Sequence, residues 1–174
     1  TDTFWFSAVE AEVYAMSSLF TAAVFWAMTM WYDRAECPYA NKWIVLISFL
    51  IGLSIGVHLL NLLMMPALVF MYYYKMREDK EYSFTEMLKI FLVGVVILAI
   101  ILFLIIPNLP MLAGYVDLLF VNVLGLPYNT GAIFFMAVLF GLCFWGLFAT
   151  LKKKKVFANT VLLCLTTVLI GFSV

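Results

Sequence analysis

The chain has 174 residues, of which 67% are hydrophobic, 18% are aromatic and 11% are charged, and its ten basic side chains balance its ten acidic ones. Soluble domains are roughly 45–50% apolar and about 25% charged. This composition therefore excludes an ordinary soluble domain and predicts an integral membrane protein in contact with the lipid bilayer. Because the charges balance, nothing favours nucleic acid as a partner, and none is predicted.

The sequence contains no motif for metal binding or for redox chemistry. Cys37, Cys143 and Cys164 are widely spaced, with no CxxC pair, and we predict neither a metal site nor a cofactor. Because the chain starts at Thr1 without a methionine and stops at Val174 inside an apolar run, we interpret it as an internal fragment of a longer membrane protein. Residues 1–174 are expected to form a single transmembrane domain.

The first predicted helix begins at Asp2 or Thr3 and ends near Tyr32. At 1.5 Å per residue it would be about 45 Å long, which exceeds the ~30 Å hydrocarbon core of a bilayer. One end must therefore protrude from the bilayer. The aromatic and acidic residues near the start of the helix indicate that its first end protrudes.

Polar residues recur along this helix at spacings of three and four, which places them on one stripe. The stripe consists of Thr3, Ser7, Glu10, Tyr14, Ser17 and Thr21. Glu12 lies about 200° around the helix from Glu10, so the two carboxylates cannot share a face. We expect Glu10 to line a polar cavity that opens outward. The alternative is that both carboxylates lie at the level of the lipid headgroups.

The next apolar segment, residues 43 to 75, contains GLSIGVHLLNLLMMPALVF at 52–70. As one straight helix it would be about 50 Å long, so a break is predicted near 56–61, with a single kinked helix as the alternative. His58 is interpreted as a base, a proton relay or a substrate hydrogen-bond partner, or else as a neutral imidazole bonded to a turn carbonyl. Asn61 is expected mainly to satisfy backbone groups freed by the turn. Gly52 and Gly56 form a weak GxxxG signal for close helix approach.

The second half of the chain predicts three further helices. An apolar helix is expected from about Ile90 to Ile106, where Pro107 and Pro110 would terminate it. Residues 107 to 129 are predicted to be a loop or a short interfacial helix, with Asp117 as a solvated charge or a helix-end group. Two spans follow, at 130–151 and 156–174, separated by KKKK. The predicted fold is therefore an all-α, polytopic transmembrane helix bundle with about five to six spans.

Basic loops favour the cytoplasmic side of a membrane. The loops around residues 34–42, 75–80 and 152–155 all carry basic residues, and they lie on one side only if residues 43 to 75 turn back on themselves. This topology predicts that the turn at 56–61 and the start of the first helix face the external side.

Two stretches, TDTFWFSAVEAEVYAMSSLF and IGLSIGVHLLNLLMMPALVF, resemble bacterial membrane proteins related to the eukaryotic protein O-mannosyltransferases, in the GT-C class of glycosyltransferases. The resemblance covers about residues 1 to 75. It implies a GT-C-like partial bundle in the bacterial inner membrane. It also implies transfer of a sugar from a polyprenyl-phosphate donor to an acceptor hydroxyl, whose identity is unknown, at the external face.

The resemblance also implies where the site lies. Glu10 and Glu12 fall at the external end of the first helix, close to Tyr14, and His58 and Asn61 fall at the external turn. The catalytic acidic loop of this class has no counterpart here and is expected upstream of Thr1, so the fragment should be inactive alone. A transporter subunit, built from broken helices in paired repeats, and a non-catalytic membrane scaffold remain as alternatives.

Overall fold

A computed structural model of the chain describes the backbone of residues 2–77 and 83–173, and the side chains of 14–77 and 83–173. The described residues are mostly helical, with no strand among them, which confirms the all-α class. The α-helices are α1 Asp2–Asp33, α2 Asn41–Val57, α3 Met65–Met76, α4 Phe84–Ala99, α5 Ile106–Asn122, α6 Thr130–Lys152 and α7 Val156–Ser173. A 3₁₀ helix, Leu59–Met64, precedes α3, and a π-helical segment, Ile100–Ile105, joins α4 to α5.

Four helical stretches in the described part of the chain are long and apolar enough to cross a membrane, namely Leu59–Met76, Phe84–Asn122, Thr130–Lys152 and Val156–Ser173. This confirms a polytopic membrane protein. The remaining predicted spans are α2, which is apolar but has only 17 residues, and α1, whose side chains are described only from Tyr14 onward.

The chain packs as two compact units. The first extends to Leu98 and includes the chain again from Leu163, and the second extends from Ala99 to Leu162. The candidate site lies in the first unit.

In the first unit, residues 43 to 75 turn back on themselves beside α1. Arg34 lies over the ring of Trp43 at 5.7 Å, so α2 starts beside the end of α1. Lys75 lies over the ring of Tyr32 at 4.8 Å, so α3 ends beside the same part of α1. Because both ends of the segment lie at one end of α1, the segment is a hairpin, and the predicted break is confirmed.

The hairpin breaks at His58, whose backbone is extended with φ −162° and ψ 128°. The His58 N–H still donates to the Ser54 carbonyl at 2.8 Å and closes α2. The imidazole Nδ1 accepts from the Leu60 N–H at 3.1 Å and so caps the 3₁₀ helix that follows. A single polar side chain thus satisfies a backbone donor at the start of a helix, as caps do.

One glycine of the predicted GxxxG pair lies at a close helix crossing. A Cβ on Gly52 would collide with the backbone of Val168 in α7, whereas a Cβ on Gly56 would meet nothing within 4 Å. A Cβ on Gly171 would lie 2.7 Å from the Phe49 carbonyl oxygen. The close contact of α2 with the second half of α7 therefore depends on Gly52 and Gly171, and Gly56 takes no part in it.

The prediction that Pro107 and Pro110 end a helix is wrong. The chain is helical from Phe84, earlier than the predicted Ile90, through both prolines to Asn122. Pro107 lies in the first turn of α5, where the missing N–H of a proline costs little. The π-helical segment before it has already changed the pattern of backbone hydrogen bonds. Asn108 Nδ2 also donates to the Leu104 carbonyl at 2.6 Å.

Asp117 joins α5 to α6 in the second unit. Its side chain is buried, and its carboxylate accepts from the backbone N–H groups of Gly131 at 2.9 Å, Asn129 at 3.2 Å and Ala132 at 3.4 Å. The interpretation as a solvated charge is wrong, and the alternative of a helix-end group is confirmed. The close approach requires Gly131, since a Cβ there would collide with the backbone of Asp117.

Candidate functional site

A cavity of about 420 Å³ lies between α1 and the turn that precedes α3. It is lined by Tyr14, Ser17, Ser18, Thr21, Ala22, Leu60 and Asn61. Five of these seven residues carry a hydroxyl or an amide, and none of the seven is charged. The predicted polar stripe of α1 therefore faces a cavity over Tyr14, Ser17 and Thr21.

Asn61 is the most buried polar residue of the cavity, with 2% of its surface exposed. Its Oδ1 accepts from the Ser17 hydroxyl at 2.7 Å and from the Thr21 hydroxyl at 2.9 Å. The Thr21 hydroxyl also lies 3.0 Å from the Ser17 carbonyl, so its single hydrogen is shared between two acceptors. The expectation that Asn61 mainly serves freed backbone groups is wrong, because its amide oxygen bonds side chains of α1 instead.

The amide nitrogen of Asn61 is buried without a hydrogen-bond partner in the described part of the protein. A buried donor left unsatisfied costs about 1–3 kcal/mol, and most buried polar atoms in proteins are paired. Nδ2 thus leaves two N–H donors unpaired beside the cavity, in a side chain whose amide oxygen is held by α1.

His58 lies beside the cavity and contacts it through Tyr14. The two ring centroids are 5.7 Å apart. Since the Leu60 N–H donates to Nδ1, that nitrogen is already engaged as an acceptor, and Nε2 is the other polar atom of the ring. The predicted bond from the imidazole to a turn carbonyl is replaced by this bond from a turn N–H.

Glu10 and Glu12 belong to the backbone of α1, and their side chains lie outside the described residues. By helical register Glu10 falls one turn before Tyr14 on the stripe that reaches the cavity, whereas Glu12 falls on another face. The placement of Glu10 in the cavity stays a prediction.

Three lining residues, Ser18, Ala22 and Leu60, were not predicted. Ser18 is four residues after Tyr14, and Ala22 is four after Ser18, so both form a second row next to the predicted stripe. Widening the stripe by one residue would have found them. Among the described side chains, no group of three or more His, Cys, Asp or Glu residues is placed to hold a metal ion.

The fold and the cavity define an integral membrane protein in which α1 and the hairpin turn border a polar cavity, and the described lining of that cavity carries no charge. The family described as "Protein O-mannosyl-transferase TMEM260 N-terminal domain" matches residues 1–82, which include α1 and the whole hairpin. Over these residues, which are less than half of the chain, the sequence is similar to that family. No curated protein and no solved structure matches the chain.

Proposed function

We propose that this chain forms part of a GT-C membrane glycosyltransferase that transfers a sugar from a polyprenyl-phosphate donor to an acceptor hydroxyl at the external face of a bacterial inner membrane. The observation that supports this most directly is the unsatisfied Asn61 amide in a cavity whose walls both fall within the O-mannosyltransferase match. In this proposal the basic ends of the helices face the cytoplasm.

The lining of the cavity favours the sugar over the phosphate of such a donor. A phosphate is usually held by arginine, lysine or a metal ion, and the described lining contains neither of these side chains. Hydroxyls and amides match the donors and acceptors of sugar hydroxyls. We therefore assign the cavity to the sugar ring, and Asn61 Nδ2, which is buried beside the cavity, donates to a sugar oxygen once its side chain turns toward the ligand.

The proposed reaction is a displacement at the anomeric carbon. The acceptor oxygen forms a bond to that carbon, the bond to the phosphate oxygen breaks, and the polyprenyl phosphate leaves with the electron pair. A base takes the acceptor proton. The described lining of the cavity holds no carboxylate, so it would orient the sugar and not take the proton. The base is proposed to be an acidic residue of an external loop. Glu10 is proposed to bind the substrate or that loop.

The experiment is a transfer assay on full-length, correctly inserted protein with a labelled polyprenyl-phosphate mannose. Asn61→Ala and Ser17→Ala should reduce kcat/KM at least tenfold, since each removes an orienting group of the sugar site. Ser54→Ala is the matched control, because Ser54 is a buried serine of the hairpin whose hydroxyl donates to the Ile51 carbonyl and which lies outside the described lining of the cavity. Glu10→Gln should also reduce transfer. Full transfer by the Asn61 and Ser17 variants would rule out this sugar site.

A further inference from the structure

We propose that the turn between α6 and α7 binds the phosphate of an anionic phospholipid headgroup. A second cavity, of about 380 Å³, lies at this turn and is lined by Thr150, Leu151, Lys154, Lys155, Val156, Asn159 and Thr160. Its volume falls in the range of small-molecule sites, which begins at roughly 300 Å³.

The rim of this cavity is held in place by hydrogen bonds between the two helices and the turn. Lys154 has a left-handed backbone with φ 52°, its N–H donates to the Leu151 carbonyl at 3.0 Å, and the Lys155 N–H donates to the Thr150 carbonyl at 3.1 Å. Asn159 Nδ2 donates to the Leu147 carbonyl at 3.1 Å and to the Thr150 hydroxyl at 2.9 Å. The site is therefore formed before a ligand arrives.

The charge of this turn is not compensated within its own unit. Residues 118 to 174 contain no Asp or Glu, and their only basic side chains are the four lysines at 152–155. The one acidic residue of the second unit, Asp117, bonds the N-terminal end of α6, which has 23 residues. At 1.5 Å per residue the lysines lie about 34 Å away, several times the ~8 Å screening length of physiological salt. An anion at the cavity would relieve the repulsion among the four ammonium groups.

The surroundings of the cavity indicate an amphiphile and not a soluble anion. Leu151 and Val156 line it and are 59% and 69% exposed, and Phe148 and Phe157 beside them are more exposed still. Apolar side chains at the end of a membrane-spanning helix lie against acyl chains, while lysines reach the headgroup layer. An anionic phospholipid bound here would place its phosphate beside the lysines and its acyl chains against the apolar side chains.

The test is native mass spectrometry of the full chain, released from mixed micelles that contain dioleoyl-phosphatidylglycerol and dioleoyl-phosphatidylcholine in equal amounts. The chain should retain one phosphatidylglycerol in preference to phosphatidylcholine. Lys154→Gln with Lys155→Gln should reduce that retention at least about tenfold, since a charge-assisted hydrogen bond from one lysine to the phosphate is worth roughly tenfold or more in binding. Arginine at both positions should restore it.

The control is Lys152→Gln with Lys153→Gln, which removes the same charge from the same turn but from residues outside the cavity lining. It should change retention less than threefold. Equal loss in the two double variants would show diffuse attraction and overturn the site, as would equal retention of the two lipids. A further arm adds inorganic phosphate, and complete displacement of the lipid by it would identify a free-phosphate site and overturn the assignment to a lipid. Thermal unfolding of each variant shows that the comparison is made on folded protein.

Discussion

The Ser17 hydroxyl donates to the Asn61 side-chain oxygen at 2.7 Å and so joins α1 to the hairpin turn across 44 positions of sequence. The bond is buried, and it positions the residue that carries the unsatisfied amide nitrogen. The same interaction therefore holds the hairpin against α1 and shapes the cavity.

The coupling of Ser17 to Asn61 can be measured as a free energy. Ser17→Ala should lower the free energy of unfolding by about 1 kcal/mol and Asn61→Ala by about 1–3 kcal/mol, since each breaks a buried hydrogen bond. The double variant should cost less than the sum of the two, by about 0.5–1.5 kcal/mol, because the shared bond is lost only once. Denaturant unfolding in detergent measures all three, and strict additivity would contradict the bond.

The contact between Gly131 and Asp117 predicts a glycine-dependent helix pair. Gly131→Ala should lower the free energy of unfolding by about 1–3 kcal/mol, because the added methyl would collide with the backbone of α5. Gly141→Ala is the matched control in the same helix, since a Cβ there meets nothing within 4 Å. It should be neutral or stabilising by up to about 1 kcal/mol. Equal effects of the two substitutions would mean that the close approach is absent.

The carboxylate of Asp117 predicts a second effect at the same place. Asp117→Asn keeps the shape but replaces a charge-assisted acceptor of three backbone N–H groups, and it should cost about 1.5–3 kcal/mol. Asp33→Asn, at the exposed end of α1, should stay within about 0.5 kcal/mol of the parent. Thermal unfolding compares the two, and a harmless Asp117→Asn would show that the cap contributes little.

The hairpin predicts that the start of α2 and the end of α3 lie on one side of the membrane. Cys37 is exposed in the turn before α2, and Met76 at the end of α3 is 59% exposed. With Cys143 and Cys164 replaced by alanine, Cys37 and a cysteine at position 76 should react with an impermeant maleimide in the same vesicle orientation. We expect that side to be cytoplasmic. Labelling of the two positions from opposite sides would replace the hairpin by a single span.

The sequence predicted the walls of the site better than the contacts that hold it. Periodicity placed Tyr14, Ser17 and Thr21 on one stripe, and length required a break near Asn61. The contact between the stripe and the break belongs to the tertiary structure. It could not be predicted, because a bond between residues 44 positions apart leaves no local pattern in the sequence.

The second half of the chain was less predictable for a physical reason. The π-helical segment Ile100–Ile105 lies in a uniformly apolar run, so no polar residue marks the change in register that lets the helix continue past Pro107. The burial of Asp117 depends on Gly131 in the next helix. A lone carboxylate near a proline and a glycine is equally typical of a loop.

The most direct measurement is photo-crosslinking of the full-length protein with a polyprenyl-phosphate mannose that carries a diazirine on the sugar. The sugar-site assignment predicts labelled peptides that contain Tyr14 to Ala22 and Leu60 to Asn61, with labelling removed by excess unlabelled donor and reduced at least tenfold by Asn61→Ala. Ser54→Ala should label as the parent does. Labelling that avoids both stretches, or that is unchanged in the Asn61 variant, would contradict the assignment of this cavity to the donor sugar.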